Sequence, residues 1–235
     1  MGNLKHMPGV RYAREKYAWL KLRMKSTERV FSDIFRTNTW GGKDSASGPG
    51  SDLVQTRVVV SALPGVFRDF DIKTMLDIPC GDFYWMKSVN LEGVRYTGAD
   101  IVSDLIHRNK EYETSTINFC KLNLLKDNLP RVDLVFCRDC LVHLSNKDIF
   151  SALNTIHRSG STYLLTTTHV EFQRNYNIAT GEWRPLNLEA APFAFPPPIQ
   201  LINEQCSVLN GALKDKSLGL WKIATIGECL AKHHD

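Results

Sequence analysis

From residue 70 onward the apolar positions fall in short continuous blocks, each closed by a polar or turn-forming cluster. Between the blocks lie stretches of helical period. This rhythm predicts strands over residues 74–78, 94–99, 117–122, 132–137 and 161–167, with helices over 82–89, 102–112 and 145–157. The block at 132–137 has the apolar, β-branched character of a strand buried on both faces. The helix at 145–157 is well signed. Ser145 and Asp148 have capping-box spacing, and Ile149, Leu153 and Ile156 share one face. Strand–helix–strand alternation implies an α/β protein with a doubly wound, mostly parallel sheet.

The flanks read differently. A basic helix is expected to run to about residue 35. The loop "TNTWGGKDSASGPGSD" follows, and then a helix over 52–67 capped by Ser51 or Asp52. After His169 the alternation stops. Residues 170–198 are long and Pro-rich, the composition of a lid or binding loop. Strands over 199–203 and 217–226 then form an antiparallel pair at the sheet edge. The organisation expected is a basic helical extension with a Gly/Ser loop over 1–51, and an α/β domain over 52–235 with its lid at about 170–198.

Composition narrows the class. The 235 residues, 43% hydrophobic and 23% charged, suffice for one globular domain with a full core. No apolar run approaches membrane-spanning length, and no signal-peptide core opens the chain, so a cytoplasmic location is expected. Six scattered cysteines suit free thiols better than a disulfide framework. Cys137 and Cys140 form one C-x-x-C without the second pair that a structural zinc site wants. The net charge of +4 is uneven: residues 1–30 carry eight Lys or Arg against Glu15 and Glu28. That arm is either an anion-seeking surface, for nucleic acid, a membrane or a neighbouring domain, or the solvated face of an amphipathic helix.

In open α/β sheets ligands sit beyond the carboxyl ends of the strands. There the sequence places Asp77 and the turn Pro79-Cys80-Gly81-Asp82, then Asp100, Asn123, the group Arg138, Asp139 and His143, and finally Thr168, His169 and Glu171. Asp100 stands 19 positions after Gly81. That spacing, at the end of the second strand, favours a carboxylate taking both hydroxyls of a ribose over the alternative of a helix cap. The turn is poor for a pyrophosphate. Pro79 lacks an N–H, Phe83 is bulky, and Asp77 and Asp82 add negative charge. A ligand bearing a sulfonium and an ammonium fits better.

The segments "LDIPCGDFYW", "YTGADI", "LNLL" and "DLVFCRDCLVHL" resemble the successive motifs of class I S-adenosylmethionine-dependent methyltransferases over residues 74–168. The resemblance implies a Rossmann-like sheet of seven strands whose last strand is antiparallel, and S-adenosylmethionine as cofactor, with S-adenosylhomocysteine as product. It assigns Asp77, Pro79 and Gly81 to the cofactor loop, Asp100 with Ile101 to the ribose, and Asn123 with Leu124 to the adenine. Arg138 is carried over as a further contact. Pro79, Phe83 and Asn123 depart from the family pattern. Trp40 and Ser51 are placed to fold over the methionine end. Arg57 is either a partner for the methionine carboxylate or an exposed helix residue.

For an alcohol acceptor a base is needed near the methyl group; His143, His169 and Asp139 are the candidates. Each histidine has a structural reading too, as a donor to a backbone carbonyl. A divalent metal held by Asp139 with Glu171 or His169 is a further option. The Pro-Pro-aromatic signature of N-methylating members is absent after the fourth strand. Trp183, Arg184 and Asn187 in the lid offer an aromatic face, a donor fork and an amide. O-methylation of a sugar, glycan or other small polar acceptor is therefore the leading expectation. An RNA methyltransferase using the basic arm, or a non-catalytic cofactor-binding module, are the alternatives.

Overall fold

The structure, a computed structural model, describes residues 24–231. The basic helix expected over the first residues lies mostly outside them. Its described continuation is α1, Thr27–Thr37. Ser26 caps it by accepting the Arg29 N–H, and Asn38 ends it in the left-handed region at φ 46°. Helix α2, Leu53–Asp69, is capped by Asp52, whose carboxylate accepts the Gln55 N–H at 2.7 Å. A carboxylate there also faces the positive end of the helix.

Seven strands follow: β1 Thr74–Asp77, β2 Arg95–Asp100, β3 Ile117–Lys121, β4 Leu134–Cys137, β5 Tyr163–His169, β6 Gln200–Asn203 and β7 Lys216–Lys222. They form one sheet in the order β3-β2-β1-β4-β5-β7-β6. Strands β1 to β5 pair in parallel, and β7 is antiparallel to both β5 and β6. The strand order therefore reverses between β1 and β4, which opens a crevice at their carboxyl ends. Three more helices complete the set among the described residues: α3 Ser103–Asn109, α4 Asn146–Arg158 and α5 Ile223–Ala231.

Because strand side chains alternate, each central strand feeds two cores. Leu76, Val135 and Leu164 pack with Ile149, Leu153 and Ile156 of α4 and Ile226 and Leu230 of α5. Met75, Leu134, Phe136 and Leu165 pack with Val59, Leu63 and Val66 of α2. Burial on both faces explains the unbroken apolar blocks of the sequence.

Three expectations change. The helix expected over 82–89 is a turn followed by one 3-10 turn, Met86–Ser88. Phe83 holds φ 57°, which breaks helical geometry. Its ring lies in a cluster with Tyr96, Tyr112 and Phe119, at centroid distances of 5.3, 5.6 and 5.0 Å. The strand expected over 217–226 stops at Lys222, and α5 begins at Ile223. The reason is the spacing of Ile223, Ile226 and Leu230, which places one apolar face toward α4. Gly227 allows the close approach, since a Cβ there would lie 2.2 Å from the His157 ring. The segment 170–198 has almost no regular structure, yet it is not an open lid. Leu186, Leu188, Phe193 and Phe195 are buried in the α4-side core.

Candidate active site

A cleft of about 1080 Å³, open mouth included, lies over the carboxyl ends of β1, β2 and β4. One wall comes from Phe31 and Phe35 of α1 together with Trp40, Ser47 and Ser51 of the loop that follows. This loop is fixed to the turn after β1. Asp82 accepts from Ser45 Oγ at 3.0 Å and from the Ala46 N–H at 2.7 Å.

On the floor, Asp77 is buried, and Tyr96 donates its hydroxyl to it at 2.6 Å. Burial pushes the Asp77 carboxyl up to about 8, against the pull of the Tyr96 bond, and the nearby charge of Asp100 adds to the rise. Asp100 accepts the Val102 N–H at 2.8 Å on one oxygen and the Gly81 N–H at 3.2 Å on the other. Burial raises it to about 6, opposed by these backbone donors. The helix-cap and ligand readings of Asp100 are therefore compatible. Its carboxylate is held by backbone N–H groups and at the same time lines the cleft. Gly81 has φ 56°, and Asn109 anchors its carbonyl at 2.8 Å.

Past the end of β4 stand Arg138, Asp139 and His143. Arg138 is buried and fully engaged. It bonds Glu204 at 2.6 Å and the Gly50 carbonyl at 2.9 Å, and lies 3.2 Å from Asp139. Lys216 of β7 reaches Asp139 at 2.6 Å and Glu204 at 3.2 Å. Burial works to raise the Asp139 carboxyl, but the Lys216 and Arg138 charges overrule it and hold it well below the ordinary carboxylate range. Asp139 itself sits at φ 52°.

The His143 ring stacks on Trp40, with centroids 4.6 Å apart and planes 28° apart. Its Nδ1 lies 2.9 Å from the Glu182 carbonyl. A carbonyl only accepts, so Nδ1 carries the hydrogen and Nε2 is left as a bare lone pair. Burial lowers the His143 pKa, which keeps the ring neutral and basic near pH 7.

All but one of the residues expected to bind cofactor line this cleft: Trp40, Ser51, Asp77, Pro79, Gly81, Asp100, Ile101, Asn123, Leu124 and Arg138. Arg57 does not. It is exposed and bonds the Val54 carbonyl and Gln205. Asp139 and His143 line the cleft, whereas His169 does not. The His169 ring is buried and accepts the Leu186 N–H on Nδ1 at 3.3 Å, so it cannot take a proton there. The residues expected to bind substrate are also placed elsewhere. Arg184 is completely buried and donates to the carbonyls of Tyr176, Leu141 and Val142 and to Asn146. Asn187 ties the segment together through the carbonyls of Val170 and Phe172. Trp183 is exposed beside His169, at a centroid distance of 6.2 Å.

Asp139 with Glu171 or His169 is not assembled as a metal set. Among the described residues no three His, Cys, Asp or Glu side chains converge for one, and Lys216 and Arg138 both engage Oδ2 of Asp139. The six cysteines are free thiols. No helix among the described residues is long and apolar enough to cross a membrane.

The sheet order, the antiparallel last strand and a carboxylate-lined cleft at the switch point define the class I methyltransferase fold, and this chain has it. Solved structures agree. N-methyltransferase NodS from Bradyrhizobium japonicum WM9, in complex with S-adenosyl-L-homocysteine, superposes at TM-score 0.59 and 12% identity. The match covers 81% of this chain and 97% of NodS. Human N-acetylserotonin methyltransferase in complex with SAM gives TM-score 0.52 at 16% identity, over 93% of this chain and 68% of that one. No family model matches the chain, and no curated protein matches it significantly in sequence.

Proposed function

We propose that this protein is an S-adenosylmethionine-dependent methyltransferase that O-methylates a hydroxyl of a small polar acceptor. The observation that carries the reading is one cleft lined both by Asp100, a carboxylate at the end of β2, and by His143, with a bare Nε2. The residues fit the cofactor. Burial raises the pKa of both Asp77 and Asp100, so that among the described residues their ionised forms lack a full offset. A ligand carrying a sulfonium and an ammonium supplies that offset. Asp100 would hold the ribose, Asn123 and Leu124 would flank the adenine, and Asp77 would face the methionine end.

When bound, S-adenosylmethionine supplies a methyl carbon activated by its sulfonium and leaves as the neutral thioether. The protein's part is alignment, water exclusion and one proton transfer. As the acceptor oxygen takes the methyl group, its proton passes to His143 Nε2. The Glu182 carbonyl fixes the tautomer, and Trp40 fixes the ring plane.

Thermal denaturation with S-adenosylmethionine, S-adenosylhomocysteine and NAD tests the cofactor. A ligand at about 100 times its dissociation constant adds about 2.7 kcal/mol of stability. Stabilisation by NAD and by neither sulfur compound would overturn the reading.

A further inference from the structure

The part of the cleft left for an acceptor lies past the end of β4, at Asp139 and His143 beneath Trp40. Its cations are already held in ion pairs. Among the described lining residues the carboxylates are Asp77, Asp100 and Asp139, and the only Lys or Arg is Arg138. That guanidinium is closed off, because its side chain is 4% exposed and its fork holds Glu204 and the Gly50 carbonyl. Lys216 is equally engaged, between Asp139 and Glu204. No cation among these residues is therefore free to meet an anionic acceptor. Asp139 and His143, which both line this end of the cleft, offer acceptors: an ionised carboxylate and a neutral imidazole nitrogen.

Resting on the methyltransferase reading, we propose that the acceptor is an uncharged polyol of the saccharide or cyclitol kind. One hydroxyl gives its proton to His143 Nε2 as its oxygen takes the methyl group. A second hydroxyl donates to Asp139 Oδ1, since Lys216 and Arg138 both engage Oδ2, and sets the orientation. A phosphate or carboxylate beside the reacting hydroxyl would find no unpaired cation here, because Lys216 and Arg138 are already shared between Asp139 and Glu204. Such a site selects against the backbone of a nucleic acid as well.

The test is transfer of labelled methyl from S-adenosylmethionine to methyl glycosides and inositol, each beside its monophosphate, and to a short RNA. S-adenosylhomocysteine affinity is measured by calorimetry on the same preparation. The expected result is label in at least one neutral polyol, at least tenfold above its phosphate. Asp139→Asn should cut that transfer more than tenfold while S-adenosylhomocysteine affinity stays within threefold, and Asp139→Glu should restore part of it. Preferential label in phosphates or RNA, no label in any acceptor, or full activity in a folded Asp139→Asn would overturn the proposal. The neutral-over-phosphate ratio of the unmodified protein decides the matter even where a variant fails to fold. Absence of S-adenosylhomocysteine binding would instead sink the methyltransferase reading itself.

Discussion

Lys216 Nζ lies 2.6 Å from an Asp139 carboxylate oxygen, across 77 positions of sequence. Topology makes this contact. An antiparallel strand begins at the edge where its parallel neighbours end, so the first residue of β7 arrives at the ligand edge opposite His169. Glu204, just past β6, arrives there too and closes a buried quartet with Arg138. In a low-dielectric setting such a quartet is stable only when complete.

Lys216→Met should therefore destabilise the protein by about 3 kcal/mol in urea unfolding, since it leaves the buried Glu204 and the partly buried Asp139 to share Arg138 alone. The sign with pH follows from the depressed Asp139 pKa. Its stabilisation is full above the ordinary carboxylate value of ~4, and is lost as pH falls through the lower folded-state value. Without Lys216 the folded-state value rises, so acid unfolding should begin at a higher pH. An unchanged acid transition would show that Arg138 alone holds the charge.

Asp77 predicts the opposite slope. Its folded-state pKa, about 8, lies above the ordinary value, so the folded protein binds the extra proton. Ligand-free stability should fall as pH rises from roughly 4 to 8. Binding of a cationic cofactor should strengthen over the same range and release protons. Calorimetry in two buffers of different ionisation enthalpy reads this release directly. Asp77→Asn should abolish most of it; a release that persists in this variant assigns the proton to Asp100 instead.

His143→Ala should lower turnover by about 10²–10⁴ while leaving S-adenosylhomocysteine affinity nearly unchanged. Burial lowers the His143 pKa, so activity in the unmodified protein should rise with pH about a midpoint below the free-imidazole value of ~6.5. A midpoint above that value would give the proton-accepting role to another group.

The strand ends were legible because buried parallel strands write themselves as apolar blocks and the ligand edge follows from topology. Asp77, Asp100 and His143 were found in this way. Lys216 and Glu204 were not, for a reason that generalises. Lys216 stands at the start of a strand rather than its end, and strand direction is invisible until pairing is known. Arg184 and Asn187 misled for a different reason. A polar side chain in an irregular segment looks exposed, yet a long segment packed into a core needs internal donors for its carbonyls, and these two residues supply them. Tyr96 carried no signal at all. Only the parallel register of β1 and β2 brings its hydroxyl to Asp77.

The single glycine of the β1 turn separates two effects cleanly. Gly81 needs its left-handed φ of 56°, and a Cβ there would lie 2.2 Å from Ser47 Oγ. Gly81→Ala thus meets a backbone cost of roughly 1–2 kcal/mol and a clash with the covering loop. It also disturbs the Gly81 N–H that holds Asp100. The hydroxyl is the end of a short side chain, so removing it relieves the clash and not the backbone strain. Ser47→Ala placed on Gly81→Ala should therefore recover part of the lost stability and leave about 1 kcal/mol unrecovered. Cofactor affinity should track the unrecovered part, because Asp100 is oriented by the backbone of this turn. Full recovery in the double variant would mean that the turn tolerates alanine, and that the glycine serves only to admit the loop.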